Sequence, residues 1–235
     1  MSQTDRWDRA SRFAIVLTHN RPELLTQCIA TIGPQVDMVI IIDNASNPPA
    51  QVAMDENWRT VILRVPDQPP NISRMWQLGI DEALSTFKAA ERLEGREKPY
   101  VAVLCDDTIV PPGWFAAITE AMASTGSVIG CSNPWGYEHE PRVKTQPDGL
   151  IGERMPGWAW VLDLDSPVRP DESLPWWFGD TDVDWQARLA GGMVMIGGYA
   201  VPNIHPNENS LRPELAEQCG KDGVTFAAKW GWRPW

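Results

Sequence analysis

Two adjacent carboxylates, Asp106 and Asp107, follow the apolar run 100–104 almost directly. A run of that length and composition predicts a buried β-strand, so the pair stands where the strand ends. Neighbouring carboxylates repel each other, and a hard divalent cation shared with phosphate oxygens relieves that repulsion. The arrangement therefore favours a site for a metal ion and a diphosphate, although acidic residues also occur in ordinary turns.

Polar residues also follow two apolar runs nearer the N-terminus. After the run 13–17 come four of them: Thr18, His19, Asn20 and Arg21. This group at a strand-to-helix junction suits a phosphate or nucleotide, because the first amides of a helix are free to bind anions. Asp43 follows the run 38–42 and can accept hydrogen bonds from ribose hydroxyls. Helix capping by Asn20 and a simple turn at Asp43 are the alternatives.

Three acids alternate ahead of a helix predicted over about 182–190: Asp180, Asp182 and Asp184. The positive end of the helix dipole keeps carboxylates at such positions ionised. A general base must be an available carboxylate beside a substrate hydroxyl, and we assign that role to Asp182. The alternative is an acidic first turn that only caps the helix. A calcium loop is disfavoured, because the glycine and the distal glutamate of such loops are missing.

Composition excludes several classes of function. The 235 residues carry a formal net charge of −11, and such a surface does not attract phosphate backbones in general. No G-x-G-x-x-G motif follows the first predicted strand, which counts against a dinucleotide cofactor. No G-x-x-x-x-G-K-[ST] motif occurs, which counts against a P-loop. The chain contains 13 Trp, and most of them follow position 100.

The pattern of elements predicts an α/β fold. Five apolar runs of strand length alternate with helix-like segments: 13–17, 38–42, 61–65, 100–104 and 127–131. This alternation predicts a mostly parallel central sheet with helices on both faces, and ligands at the carboxyl ends of its strands. We expect one domain over 1–235. Its nucleotide-sugar-binding half covers about 10–131, and its Trp-rich acceptor half covers about 132–235, beginning with a mobile loop at 132–156.

Four segments in this order resemble the family-2 type of inverting glycosyltransferases, which have the glycosyltransferase A (GT-A) fold: 14–25, 39–46, 103–114 and 180–188. The resemblance implies a nucleoside-diphosphate sugar donor, with a UDP-sugar favoured, bound by Thr18 to Arg21, Asp43 and Asp106. The metal motif D-x-D of the family falls on 105–107, so its last acid matches Asp107 while its first position is Cys105. Whether Cys105 or the adjacent Asp106 takes the place of the first acid stays open.

The same resemblance implies a mechanism. Asp107 and His205 would hold Mn²⁺ or Mg²⁺ on the diphosphate, and Asp182 would deprotonate the acceptor hydroxyl, with inversion at the sugar. The Glu-Asp pair of the family falls on Thr181 and Asp182, so its glutamate is missing. Arg74 adds a positive charge near the diphosphate or is a surface residue of a helix. The segment 226–231 resembles an F-x-x-K-W-G ending of some small members.

Four tryptophans offer flat apolar faces to an acceptor: Trp158, Trp160, Trp176 and Trp177. Ordinary core packing is the alternative for each. A glycan is the expected acceptor, and a non-catalytic sugar-binding module is an open alternative. A hydroxylated base in DNA, such as a hydroxymethylpyrimidine, also stays open, because extruded bases stack on aromatic rings. A local basic patch for DNA would need four residues of the second half: Arg142, Lys144, Arg154 and Arg169.

The cysteines and the N-terminus bear on localisation. The four cysteines are far apart in the sequence and form no C-x-x-C pair: Cys28, Cys105, Cys131 and Cys219. Free thiols of this kind are typical of a reducing compartment. The N-terminal residues are polar, and no apolar run approaches the length of a membrane span. We therefore predict a cytoplasmic protein without a membrane span.

Overall fold

The computed structural model describes residues 11–53, 55–66, 69–89, 97–148, 153–203 and 213–231. These ranges contain the following strands: β1 (Arg12–Thr18), β2 (Met38–Asn44), β3 (Arg59–Val65), β4 (Tyr100–Cys105), β5 (Ile129–Ser132), β6 (Arg142–Lys144), β7 (Ala159–Asp163) and β8 (Met193–Ile196). They contain the following α-helices: α1 (Pro22–Ile32), α2 (Ile72–Ala89), α3 (Trp114–Thr125), α4 (Gly179–Ala190) and α5 (Pro213–Trp230).

The strands form one sheet in the order β3-β2-β1-β4-β7-β5-β8-β6. Strands β1 to β4 are parallel neighbours, and β5 is parallel to β8. Only β7 and β6 run against their neighbours in this sheet. The predicted single α/β domain with a mostly parallel sheet is therefore confirmed. The two halves of the sequence share the sheet, because β7 lies between β4 and β5.

Both faces of the sheet are covered by helices, as predicted. Alternate residues of β1 point to opposite faces, as the strand geometry requires. Phe13 and Ile15 belong to the apolar cluster that includes α2 and α4, while Ala14 and Val16 belong to the cluster that includes α1 and α3. Burial on both sides explains why the central strands consist of apolar residues in succession.

Two elements differ from the sequence expectation. The short edge strand β6, which pairs with β8, lies inside the stretch 132–156 that was predicted to be a mobile loop. The three residues of β6 are partly or largely exposed, so no apolar run in the sequence indicates this strand. The sequence analysis did not predict the helix α5 and singled out only the motif 226–231 at its C-terminal end. Its Phe226 is fully buried and packs with Phe178 and Trp185 against the start of α4.

The direction of the strands brings distant segments to one edge of the sheet. Six strands point the same way, so their carboxyl ends meet at this edge, and the antiparallel β7 begins there. We call it the carboxyl edge. Thr18, Asp43 and Asp106 all lie at this edge, because they end or follow β1, β2 and β4.

A buried ion pair connects α4 to the loop between β6 and β7. The Arg188 guanidinium donates two hydrogen bonds to the Asp184 carboxylate, at 2.9 and 2.8 Å, and both side chains are fully buried. It also donates to the carbonyl oxygens of Gln146 and Glu153 and pairs with Asp148. Helix α4 therefore holds both described ends of this loop.

We expect Arg188→Leu to lower the free energy of unfolding by about 3–5 kcal/mol, because it leaves the Asp184 carboxylate buried without its cation. Urea denaturation of the full chain measures this loss. The neighbouring substitution Leu189→Ala is the control, since Leu189 is exposed, and it should leave stability nearly unchanged. Equal stability of the two variants would contradict the structural role of the pair.

Candidate functional site

The carboxylates after β4 meet two residues that follow or end β1. The Thr18 hydroxyl donates to Asp106 Oδ2 at 2.8 Å. Arg21 Nη1 donates to Asp107 Oδ2 at 3.1 Å and contacts Asp106 Oδ1 at 3.4 Å. Both aspartates are buried, and burial raises the pKa of Asp106, although the Thr18 hydrogen bond and the Arg21 charge oppose that shift. The result is a compact acidic cluster with one cation.

His19 and Asn20 connect the end of β1 to the loop after β2. His19 Nδ1 lies 2.5 Å from the Asn44 carbonyl oxygen, and the Asn20 amide donates to Ser46 Oγ at 2.9 Å. Asn20 has φ +56°, a left-handed conformation that asparagine tolerates. Helix α1 begins with Arg21 at its N-cap and has no side-chain cap, so the alternative of capping by Asn20 is wrong. Both side chains remain exposed at the carboxyl edge.

Asp43 organises the same loop from within. Its carboxylate accepts the backbone amides of Ser46 at 2.9 Å and Ala50 at 3.0 Å. Burial raises the pKa of Asp43, but the hydrogen bonds from Ser46 and Ala50 outweigh burial and lower it overall. Asp43 is therefore an ionised anchor of the loop. Contact of Asp43 with a nucleotide stays a prediction.

The carboxylate oxygens at the end of β4 fit a hard cation that is also coordinated by phosphate oxygens. Magnesium sites of this class use one or two carboxylates and complete their coordination with phosphates and water. Asp106 and Asp107 provide such carboxylates. Burial raises the pKa of Cys105, so this residue is a neutral thiol and not a ligand for a hard cation. In the part of the chain that the structure describes, no three acidic, His or Cys side chains converge, and His205 lies outside that part.

Asp182 lies away from the carboxyl edge, between α4 and α5. Its side chain is fully buried, and its carboxylate accepts from Gln186 Nε2 at 2.6 Å and Trp230 Nε1 at 2.8 Å. It also pairs with Lys229 at 2.8 Å. A carboxylate enclosed by three donors cannot approach an acceptor hydroxyl. The structure therefore corrects the assignment of Asp182 as general base and gives it a role in joining the two helices.

Asp180 is the acid of α4 that reaches the site. A Cβ placed on Gly157 would lie 2.6 Å from Asp180 Oδ2, so the carboxylate sits directly against the backbone before β7. The next residue, Trp158, accepts the Cys105 amide through its carbonyl at 3.1 Å, which places Asp180 beside the end of β4. Asp180 is half-buried, and burial raises its pKa, while the Thr181 amide and the charge of Arg154 oppose that rise.

Helical geometry explains why an assignment two positions too far along α4 fails. Positions i and i+2 of a helix point to nearly opposite sides, so Asp180 and Asp182 cannot share one environment. The apolar residues Val183 and Ala187 mark the side of α4 that faces the sheet. These two apolar positions can be recognised in the sequence, but the prediction of the base relied on the position of the acidic motif.

The four predicted acceptor tryptophans have different environments. Trp160 is fully buried and packs edge-on against Trp76 with ring centroids 5.6 Å apart, so its prediction as an acceptor platform is wrong. The other three are partly exposed: Trp158, Trp176 and Trp177. Asp222 of α5 accepts the backbone amides of Trp176 and Trp177, which holds their loop in place. Their contact with an acceptor stays a prediction.

The arginine predicted beside the diphosphate lies on the first turn of α2. Arg74 is exposed, and its backbone amide donates to Asn71 Oδ1 at 2.9 Å, as in a capped helix start. A surface position is therefore shown, and contact with the diphosphate stays a prediction.

Of the four basic residues considered for DNA binding, Arg142 is exposed, Arg154 is partly buried, and Lys144 and Arg169 are engaged in contacts within the chain. Lys144 pairs with Asp148 and Glu153. Arg169 donates to the carbonyls of Ser166 and Val168, after the end of the antiparallel β7 and thus at the edge opposite the site. These two cations therefore serve internal contacts at different places.

The fold and the position of the acidic residues in it are those of the GT-A fold. A mostly parallel α/β sheet carries an acidic pair after its fourth strand, and a further acid begins a helix packed beside it. The sequence model of the family described as Glycosyl transferase family 2 matches residues 13–162, more than half of the chain. The chain belongs to glycosyl transferase family 2.

Solved structures of similar fold include S. aureus TarS and GalNAc-T7. The TarS crystal structure has 10% sequence identity and a TM-score of 0.61, covering 92% of this chain and 40% of that chain. The structure of TarS 1-349 in complex with UDP-GlcNAc has 9% identity and a TM-score of 0.59, covering 92% and 66%. GalNAc-T7 with UDP, GalNAc and Mn²⁺ has 11% identity and a TM-score of 0.57, covering 83% and 44%.

The chain thus spans less than half the length of the TarS and GalNAc-T7 chains in those first and last structures. No curated protein sequence matches it. Within the described ranges, no helix is both long enough and apolar enough to cross a bilayer.

We expect Asp182→Asn to lower the free energy of unfolding by about 2 kcal/mol, because the substitution removes the charge that pairs with Lys229. Turnover of the folded fraction should persist. Thermal and urea denaturation, together with donor hydrolysis per folded molecule, measure the two effects. Intact stability combined with lost turnover would show that Asp182 acts in the reaction and contradict its structural role.

Proposed function

We propose that this chain transfers a sugar from a nucleoside-diphosphate sugar, most favourably a UDP-sugar, to an acceptor hydroxyl, with a divalent metal ion and with inversion. The carrying observation is that the Asp106–Asp107 pair, which Arg21 contacts, and Asp180, which lies against Gly157, are at the same edge of a GT-A sheet. The structures of similar fold that contain UDP, UDP-GlcNAc or Mn²⁺ support this choice of donor and metal.

The donor side of the proposal rests on the charges at the end of β4. Asp107, with Asp106 beside it and His205 as a further candidate, would hold Mn²⁺ or Mg²⁺. That ion supplies positive charge to the departing diphosphate when it is bound. Thr18 and Arg21 hold the two carboxylates in place through the contacts described above. Asp43 and the loop that it organises shape the adjoining nucleotide site.

The acceptor side rests on Asp180. Its carboxylate takes the proton of the acceptor hydroxyl while the oxygen attacks the anomeric carbon. The bond from that carbon to the diphosphate oxygen breaks, and its electron pair leaves with the nucleoside diphosphate. A single displacement from the opposite side inverts the configuration. The raised pKa of Asp180 suits this role, because a more basic carboxylate accepts a proton more readily.

The location in the cell is part of the same proposal. All four cysteines are free thiols, and Cys28 and Cys131 are buried. These thiols support a place in the reducing cytoplasm. The non-catalytic sugar-binding module is the competing class, and the role of Asp180 separates it from a transferase, since binding alone needs no base.

Donor hydrolysis tests the proposed reaction. We expect the full chain to hydrolyse one or more of the UDP-, GDP- and dTDP-sugars in the presence of Mn²⁺, and EDTA to abolish the reaction. Asp107→Asn should weaken Mn²⁺-dependent binding of the nucleoside diphosphate in calorimetry, because a ligand charge is lost. Asp165→Asn is a matched control, since Asp165 is exposed and follows the end of β7 that lies at the other edge of the sheet, away from the site. No hydrolysis and no nucleotide binding with any donor would contradict the proposal.

We expect Asp180→Asn to reduce kcat at least about 100-fold, the contribution typical of a general base, while UDP binding persists. The wild-type kcat/KM should fall as the pH drops through a pKa above the ordinary aspartate value of 3.8, because only the ionised carboxylate accepts the proton. A pH series of rates for the two proteins measures both effects. Full turnover of Asp180→Asn would exclude Asp180 as the base, whereas sugar binding without turnover in the wild-type chain would favour the binding module.

A further inference from the structure

Two aromatic side chains stand out on the surface near the proposed site. Trp135 is 75% exposed and Tyr137 is 67% exposed, the largest values among the big apolar side chains that the structure describes. They follow β5 and are separated only by Gly136. A large ring exposed to this degree contributes little to folding, and adjacent exposed rings commonly mark a binding surface. Neither residue was singled out from the sequence.

The backbone that carries these rings is well ordered by hydrogen bonds. The Asn133 amide donates to the Ile196 carbonyl at 2.8 Å, and the Asn133 side chain accepts the Trp135 amide at 2.9 Å. Gly136 has φ +68°, and a Cβ at this residue would lie 2.8 Å from the Ala200 Cβ. We call residues 133–137 the aromatic turn. Its close packing on the segment after β8 presents both rings outward, so binding would order little additional backbone.

The aromatic turn belongs to the same edge as the reaction centre. Ala200, which touches Gly136, is three residues before Asn203, and Asn203 pairs with Thr108 beside Asp107. Three extended residues span at most about 11 Å. The turn therefore lies within reach of an acceptor that extends away from the sugar-transfer point by a few linked units.

The charges around the turn select the chemistry of that acceptor. Glu138 and Glu140 are exposed next to the rings, and the whole chain carries −11. Proteins that stack nucleic-acid bases on aromatic rings pair those rings with a basic groove. Here the rings stand beside the carboxylates of Glu138 and Glu140, the nearest exposed cation along the chain is the single Arg142, and Lys144 and Arg169 serve internal contacts. A polyanion is thus disfavoured, while the apolar C–H face of an uncharged sugar can pack against Trp135 or Tyr137.

We propose that Trp135 and Tyr137 bind an uncharged oligosaccharide, which makes the acceptor of this enzyme a neutral glycan rather than modified DNA. This inference rests on the proposed function, because it assigns the acceptor side of the same site. One end of the glycan lies toward Asp180, and its remaining sugars stack on the aromatic turn.

The test observes Trp135 directly. The full chain is labelled with 5-fluorotryptophan, and the ¹⁹F resonance of Trp135 is assigned by its absence in Trp135→Phe. The probes are hexaoses of glucose, mannose, galactose and N-acetylglucosamine, and a duplex that contains hydroxymethylcytosine. We expect the Trp135 resonance to shift with one or more hexaoses and not with the duplex. Shift with the duplex, or with none of the hexaoses, would overturn the inference.

Variants then relate the binding to the rings. Trp135→Ala should weaken the calorimetric Kd for the bound hexaose about tenfold, a typical loss for one stacked ring, and Trp135→Phe should retain most of the affinity. Val224→Ala is the control, because Val224 is exposed on α5. Unchanged affinity in Trp135→Ala would overturn the inference. UDP titration with Mn²⁺ runs in parallel: its failure counts against the proposed function, whereas failure of the hexaoses alone counts only against the aromatic turn.

Discussion

Two adjacent carboxylates can stay buried after β4 only because the parallel pairing of β1 with β4 brings a hydroxyl and a guanidinium against them. The register places Leu17 opposite Cys105, and the Asp106 amide donates to the Leu17 carbonyl at 3.2 Å. Thr18 then follows at hydrogen-bond distance from Asp106, and Arg21 begins α1 beside Asp107. The site thus depends on strand register, and burial of these groups without that pairing would be costly.

The remaining acids have separate roles that follow from where α4 directs them. Asp184 holds the loop between β6 and β7 through Arg188, and Asp182 joins α4 to α5 through Lys229 and Trp230. Asp180 is left at the helix start, against Gly157 and beside the end of β4. Two buried carboxylates therefore fix the position of the helix that presents the third. In the proposed mechanism this short acidic segment therefore combines two structural roles with one chemical role.

Much of the sheet follows from the sequence, because strands buried on both faces must be apolar throughout. The same logic placed Asp43, Asp106 and Thr18 together, since carboxyl ends of parallel strands meet at one edge. Side-chain direction was harder to predict. Asp182 and Asp180 point to nearly opposite sides of α4, and the position of the motif alone did not show which side faces the site. The burial of Trp160 depends on its neighbour Trp76. The exposed Trp135 is in an irregular turn, where hydrophobic periodicity carries no information.

In the proposed reaction, Asp107 lies on the diphosphate side of the anomeric carbon and Asp180 lies on the acceptor side. A crystal structure of the chain with UDP-GlcNAc and Mn²⁺, recorded with anomalous scattering from manganese, tests it most directly. We expect the manganese peak at Asp107 beside the diphosphate, and the Asp180 carboxylate on the opposite side of the anomeric carbon. A nucleotide bound away from the end of β4, or a sugar that no atom of Asp180 approaches, would contradict the claim.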